Sequence, residues 1–152
     1  MSKSTLFSVT TEHALRAMVH LARLPSGESI LGRDLAVASS IPGNYLSKLL
    51  VTLRNAGLVQ TTRGQGGGYR LGKAPAEIRL IDIADLFEAS GSAPGCLLGE
   101  DHECRDDLAC PAHERWKNVV EVFADFLRTT TVADIGGVGT PRVDLSDQER
   151  IP

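Results

Sequence analysis

The stretch IPGNYLSKLLVTLRNAGLVQTTRGQGGGYRL, residues 41–71, decides how the chain folds. Within it, NYLSKLLVTLRNA (44–56) places Leu46, Leu49, Leu50 and Leu53 at i, i+3, i+4 and i+7, which is one apolar face of a helix. Pro42 suits the first helical position, and Gly57 supplies the C-terminal cap. The opposite face carries Asn44, Tyr45, Ser47, Lys48 and Arg54, all hydrogen-bonding or cationic groups. LVQTTR (58–63) and YRL (69–71) then read as two short strands around Gly64-Gln65-Gly66-Gly67-Gly68, a loop flanked by Arg63 and Arg70.

Just upstream, GRDLAVAS (32–39) makes a short helix and SSIPG (39–43) a turn. Two short helices with a tight turn form a helix-turn-helix pattern, although an ordinary helical hairpin with a wetted polar face has the same periodicity. The β-hairpin that follows separates the two, because a hairpin directly after a helix-turn-helix is a wing. Its glycines, Gly64 and Gly66 among them, let the backbone on either side of Gln65 approach another surface closely. Arg63 and Arg70 offer charge-assisted bonds to phosphates or a minor-groove contact. A P-loop is excluded, since the strand-to-helix context and the Lys-Ser/Thr ending are both missing.

Working outward, TTEHALRAMVHLARL (10–24) aligns Leu15, Met18, Val19 and Ala22 on one helical face, with Thr10 as N-cap and Glu12 in the first turn. Pro25-Ser26-Gly27 ends that helix. LIDIADLFEAS (80–90) is a further helix with Leu80, Ile83, Ala84 and Phe87 on one side. Gly91 to Gly95 breaks the chain, and Pro111 opens a long helix running to about Thr129. Its apolar stripe is Trp116, Val119, Val120, Phe123, Phe126 and Leu127, a pattern that serves equally as core or as a dimer interface. TTTVADI (129–135) is a last short element, and 136–152 has too few apolar residues to fold.

The 152 residues suit one domain, and 42% hydrophobic with 23% charged residues is ordinary for a globular protein. No apolar run nears the roughly 20 residues that span a bilayer. The N-terminus lacks a signal-peptide pattern, so the expected location is cytoplasmic, with no membrane partner. The net charge of −3 conceals an asymmetry. Residues 1–80 hold ten Lys and Arg against four acids, a net +6, whereas 81–152 hold six against fifteen, a net −9. A basic first half suits a polyanion, and an acidic second half suits regulation or assembly.

All three cysteines lie in CLLGEDHECRDDLACPAHERW (96–116), spaced Cys96-x7-Cys104-x5-Cys110-x2-His113. An odd count in a chain expected to stay reduced argues against a disulfide framework. Thiolates are soft ligands for zinc or iron–sulfur clusters, while the crowding acids would keep metal-free thiols protonated and unreactive. Zinc held by three cysteines and His113 satisfies the same chemistry. The spacing lies close to that of RNA-binding fingers, but no aromatic stands between Cys96 and His113 to stack a base. No HExxH, GxSxG, Walker or Rossmann pattern occurs, so an enzyme is not expected.

HALRAMVHLA (13–22), residues 41–71 and IRLIDIADLFE (78–88), followed by the cysteine segment and a long helix, resemble the Rrf-type winged helix-turn-helix transcriptional regulators, the IscR, NsrR and RirA group. The resemblance spans about 8–135. It implies a mainly α fold: a winged helix-turn-helix with a two-stranded β wing and a long C-terminal dimerisation helix. The expected division is a DNA-binding domain over 8–90, a cluster-binding loop over 91–110, the dimerisation helix and terminal element over 111–135, and a disordered tail. It implies a homodimeric repressor of a palindromic operator in double-stranded DNA, with recognition helices about one turn (~34 Å) apart. Asn44, Tyr45, Ser47 and Lys48 would then meet base edges or phosphates.

The resemblance further implies an iron–sulfur cluster, 2Fe-2S or 4Fe-4S, on Cys96, Cys104 and Cys110, through which redox, iron or nitric oxide status sets operator affinity. The fourth ligand is His113, where IscR-type members carry a histidine, or Glu12, where some members use an N-terminal acid. His13 departs from the aromatic usual at that position and is read as a packed histidine, while His20 and His102 are read as partly exposed. A cluster-free member, with a structural zinc or a vacated loop, is the alternative.

Overall fold

The computed structural model describes residues 6–88, 95–98, 107 and 109–138. Helix α1 (Val9–Ala22) is the central element and buries Ala14, Ala17, Met18 and Leu21. Its N-cap is Ser8, whose side chain accepts the Thr11 N–H at 3.2 Å, and not the expected Thr10. The shift has a physical cause at both positions. The Thr10 hydroxyl bonds the Tyr45 hydroxyl at 2.5 Å, and Ser8 is held by Glu88 Oε1, which accepts its N–H at 2.9 Å and its hydroxyl at 3.0 Å.

Helices α2 (Gly32–Ser39) and α3 (Gly43–Asn55) form the helix-turn-helix. Ser40 turns the corner in the left-handed region at φ +54°, letting Ile41 N–H reach Ala36 O at 3.0 Å. The buried Ser39 hydroxyl donates to Leu35 O at 2.5 Å, and Arg16 Nη1 donates to Ser39 O at 3.2 Å, tying α2 to α1. All four leucines expected on the apolar face of α3, Leu46, Leu49, Leu50 and Leu53, are buried. Proline 42 stands one place earlier than expected, as N-cap to Gly43.

Strands β1 (Val59–Thr62) and β2 (Gly68–Leu71) pair antiparallel, from Val59↔Leu71 to Thr62↔Gly68. The outer edge of β2 is also paired: Ile30 N–H donates to Tyr69 O at 3.0 Å and Tyr69 N–H to Ile30 O at 2.7 Å. Gly68 is required there. Its φ is +146°, and a Cβ would lie 2.2 Å from Ile30 O. A 3-10 turn (Pro75–Glu77) leads into α4 (Leu80–Phe87), with the expected 89–90 extension outside the described residues.

Helix α5 runs His113–Thr129, starting two residues after Pro111, and α6 spans Val132–Gly136. The α5 stripe separates into two. Trp116, Val120, Phe123 and Leu127 form an inward row, half-buried to fully buried. Val119, Val122 and Phe126 form a neighbouring row that is 51%, 71% and 47% exposed. Leu127 and Phe123 pack with Leu80 and Ala84 of α4, and Phe123 meets Phe7 with centroids 5.4 Å apart.

Helix α6 rejoins the first half of the chain instead of following α5 outward. Leu80 N–H donates to Thr130 O at 2.9 Å, Val132 N–H donates to Ile78 O at 2.8 Å, and Arg23 Nε donates to Gly136 O at 3.0 Å. Val132 is fully buried in the core shared with Met18 and Ile78. Burying such a side chain contributes about 1.5–3 kcal/mol, so the terminal element belongs energetically to the winged domain. The tail expected over 136–152 lies outside the described residues beyond Val138.

Candidate nucleic-acid interface

Because the leucines commit one face of α3 to the core, helical geometry leaves Asn44, Ser47, Lys48, Val51, Arg54 and Asn55 exposed on the other. Asn44 Oδ1 accepts the Tyr45 N–H at 2.9 Å, and the Ser47 hydroxyl donates to Gly43 O at 2.8 Å. Both side chains brace the first turn of α3 from its exposed side. Tyr45 differs from its neighbours. It is half-buried, its hydroxyl is engaged by Thr10, and its ring meets His13 edge-on with centroids 5.4 Å apart. His13 is therefore a packing residue between α1 and α3, and its Nδ1 is buried without a hydrogen-bond partner. Val51 was not anticipated from the sequence. Its spacing of seven from Asn44 and three from Lys48 is the signal that identifies it.

In the wing, Arg63, Gly64, Gln65 and Gly66 are all exposed, and Gly67 N–H donates to Gly64 O at 3.0 Å to close the tip. Arg63 stands at the tip. Arg70 does not: it lies inside β2, opposite Gln60, and its Nη2 donates to Gln60 Oε1 at 3.3 Å. Ion pairs join Arg33 to Asp34 at 3.7 Å and Arg79 to Asp82 at 3.0 Å, and neither involves the cations of α3 or the wing tip. Lys48, Arg54 and Arg63 thus keep their charge without a carboxylate partner and are available to a polyanion.

The cysteine segment is described in part. Cys96 and Cys110 are free thiols, both half-buried, while Cys104 lies outside the described residues. His113 is only 6% exposed at the start of α5, and its N–H donates to Cys110 O at 3.0 Å. Glu12, half-buried on α1, donates its N–H to Ser8 O at 3.0 Å. No three His, Cys, Asp or Glu side chains gather as a metal would require among the described residues. The donor types, thiols together with a histidine three residues after Cys110, fit a thiophilic metal or an iron–sulfur cluster.

A helix-turn-helix with a glycine-tipped, arginine-bearing wing defines a winged-helix DNA-binding protein. Residues 7–137 match the family model of Rrf2, described as an iron-dependent transcriptional regulator, and the chain belongs to this family. A putative HTH-type transcriptional regulator of Aquifex aeolicus is 32% identical over 132 residues, covering 86% of this chain and 90% of that protein. The HTH-type transcriptional regulator NsrR of Geobacillus kaustophilus is 34% identical over 125 residues, covering 82% and 85%. The structure of CymR, the global cysteine regulator of B. subtilis, superposes with a TM-score of 0.72 at 28% identity, covering 90% of this chain and 98% of that one. T. potens IscR superposes at 0.67 with 26% identity, covering 87% and 86%. The chain is a DNA-binding transcriptional regulator and not an enzyme. No helix among the described residues is long and apolar enough to cross a membrane.

Proposed function

We propose that the chain acts as a homodimeric repressor that reads a palindromic operator, with a metal site in the cysteine segment setting its DNA affinity. The observation carrying the DNA reading is the shared availability of Lys48, Arg54 and Arg63, which hold charge on the recognition helix and wing tip without internal partners. In the complex α3 enters the major groove. Asn44, Ser47 and Lys48 meet base edges or phosphates, and Val51 is suited to a thymine methyl. Arg63, with the backbone of Gly64, Gln65 and Gly66, reaches the adjacent minor groove or its phosphates. Tyr45 acts through its bond to Thr10, orienting α3, and Arg70 keeps the hairpin in shape through Gln60. The exposed Val119, Val122 and Phe126 row is the seam between protomers.

Cys96, Cys104 and Cys110 hold an iron–sulfur cluster, with His113 or Glu12 as fourth ligand. Such a cluster supplies a redox- and nitric-oxide-sensitive centre when bound. The support within this chain is the first turn of α5, where the backbone bond from His113 to Cys110 keeps the two ligand-type residues in one turn of chain. A second reading draws on the likeness to the cysteine regulator CymR: a cluster-free member, with zinc or nothing in the segment, answering another signal. Oxygen-free purification followed by iron, sulfide and zinc analysis separates the two. Iron and sulfide in the purified or reconstituted protein support the cluster. Zinc alone, or no metal after anaerobic reconstitution, establishes the second reading instead.

A further inference from the structure

The only tryptophan in the chain does more than fill an apolar position. Trp116 lies three residues after His113, on the same side of the first turns of α5. Its indole Nε1–H donates to Gly95 O at 2.7 Å, across 21 residues of sequence. Gly95 is bonded directly to Cys96, and the Leu98 N–H points at Cys96 Sγ at 3.4 Å. Residues 95–98 thus form a short turn in which one N–H faces the Cys96 sulfur, and a side-chain hydrogen bond fastens that turn to α5. The same helix end carries Cys110, through the His113 N–H.

From this geometry we infer that Trp116 is the positioning residue of the cysteine segment: it anchors the Gly95–Leu98 turn to α5 and so holds Cys96 at the helix end that carries Cys110 and His113. The consequence for metal binding rests on the sensor reading above, whereas the anchoring itself does not. Without the anchor, the turn loses its tether to the helix and Cys96 must be ordered anew whenever a metal binds. Loss of a partner that orients a ligand typically lowers metal affinity about 10- to 100-fold.

The test uses full-length, reduced, metal-free protein and Co(II), whose thiolate absorption reports ligation by sulfur. Trp116→Phe keeps an aromatic ring but removes the donor, and Trp116→Gln returns an N–H of similar reach. Backbone hydrogen exchange at 96–98 and Co(II) titration are measured in both variants and in the wild type. In Trp116→Phe, exchange at Leu98 accelerates while α5 stays protected, Co(II) affinity falls about 10- to 100-fold, and Trp116→Gln recovers part of both. Unchanged exchange at 96–98, or equal Co(II) affinity in wild type and Trp116→Phe, overturns the role. If the wild type binds no Co(II), the sensor reading is decided by the iron and sulfide analysis above, and exchange at Leu98 still decides whether Trp116 anchors the turn.

Discussion

Glu88 gives the sharpest energetic test of how the winged domain is closed. Its Oε1 accepts from Ser8 N–H, Ser8 hydroxyl and Thr11 hydroxyl, so one carboxylate at the end of α4 secures the N-terminus of α1. Hydrogen bonds to a charged group contribute about 1.5–3 kcal/mol each. The losses in Glu88→Ala are less than their sum. The Ser8 and Thr11 hydroxyls, 3.1 Å apart, can turn to each other and re-pair one of their protons, leaving the Ser8 N–H and the other hydroxyl without this acceptor. The expected cost is therefore about 2–3 kcal/mol, or roughly 6–12 °C in thermal midpoint at fixed protomer concentration. Glu88→Gln keeps one carbonyl acceptor and should lose about half as much.

The charge adds a pH signature. Burial works against the Glu88 carboxylate, but the bonds from the Thr11 hydroxyl and from Ser8 outweigh it and hold its pKa below the ordinary 4.5. A depressed folded-state pKa stabilises the protein above 4.5, and that contribution disappears as pH falls through the folded value. Thermal melts of wild type and Glu88→Gln should differ steadily near neutrality and converge below pH 4.5. A Glu88→Ala midpoint within roughly 2 °C of wild type, or a gap to Glu88→Gln that persists undiminished into acid, would refute the reasoning.

Three other perturbations address the remaining parts. Arg63→Ala should weaken binding to specific and random DNA alike and reduce the slope of log affinity against log salt by about 0.9; unchanged affinity across the titration removes Arg63 from the interface. Gly68→Ala should cost about 1–3 kcal/mol or more, because its Cβ meets Ile30 O at 2.2 Å in a backbone conformation L residues rarely adopt. Urea unfolding tests this through a lowered midpoint at constant slope. Val122→Asp should yield a folded monomer by light scattering with weakened operator binding, while an intact dimer moves the seam away from the exposed α5 row.

What the sequence discloses follows from how local each signal is. The leucine spacing of α3 and the glycine loop between β1 and β2 depend on neighbours within a few residues, and both elements form where the pattern puts them. Ser8 escaped notice as the cap because what holds it, Glu88, lies 80 positions away. The last short element groups in sequence with the long helix over 111–135, because its attachment to the first half runs through backbone groups, Thr130 O and the Val132 N–H, which have no side-chain signature. Spacing marks Tyr45 and Arg70 as polar groups on the DNA-facing elements but cannot disclose their internal partners, Thr10 and Gln60, which lie 35 and 10 positions away. The α5 stripe merged two rows that differ by roughly a quarter turn, a distinction only the packing against α4 reveals. Cys96, Cys110 and His113 were legible as metal-seeking types, but the Trp116 bond to Gly95 has no counterpart in spacing.

The central claim is that occupancy of the cysteine segment sets DNA affinity. Anaerobic fluorescence-anisotropy titration of the regulator's own promoter fragment addresses it directly, comparing reconstituted protein, chelator-treated protein and the Cys96→Ser/Cys104→Ser/Cys110→Ser variant. Coupling of ordinary size predicts that the reconstituted form differs from the other two by about 5- to 150-fold, and that the other two agree. Equal affinity in all three, with iron and sulfide present in the first, would contradict the account.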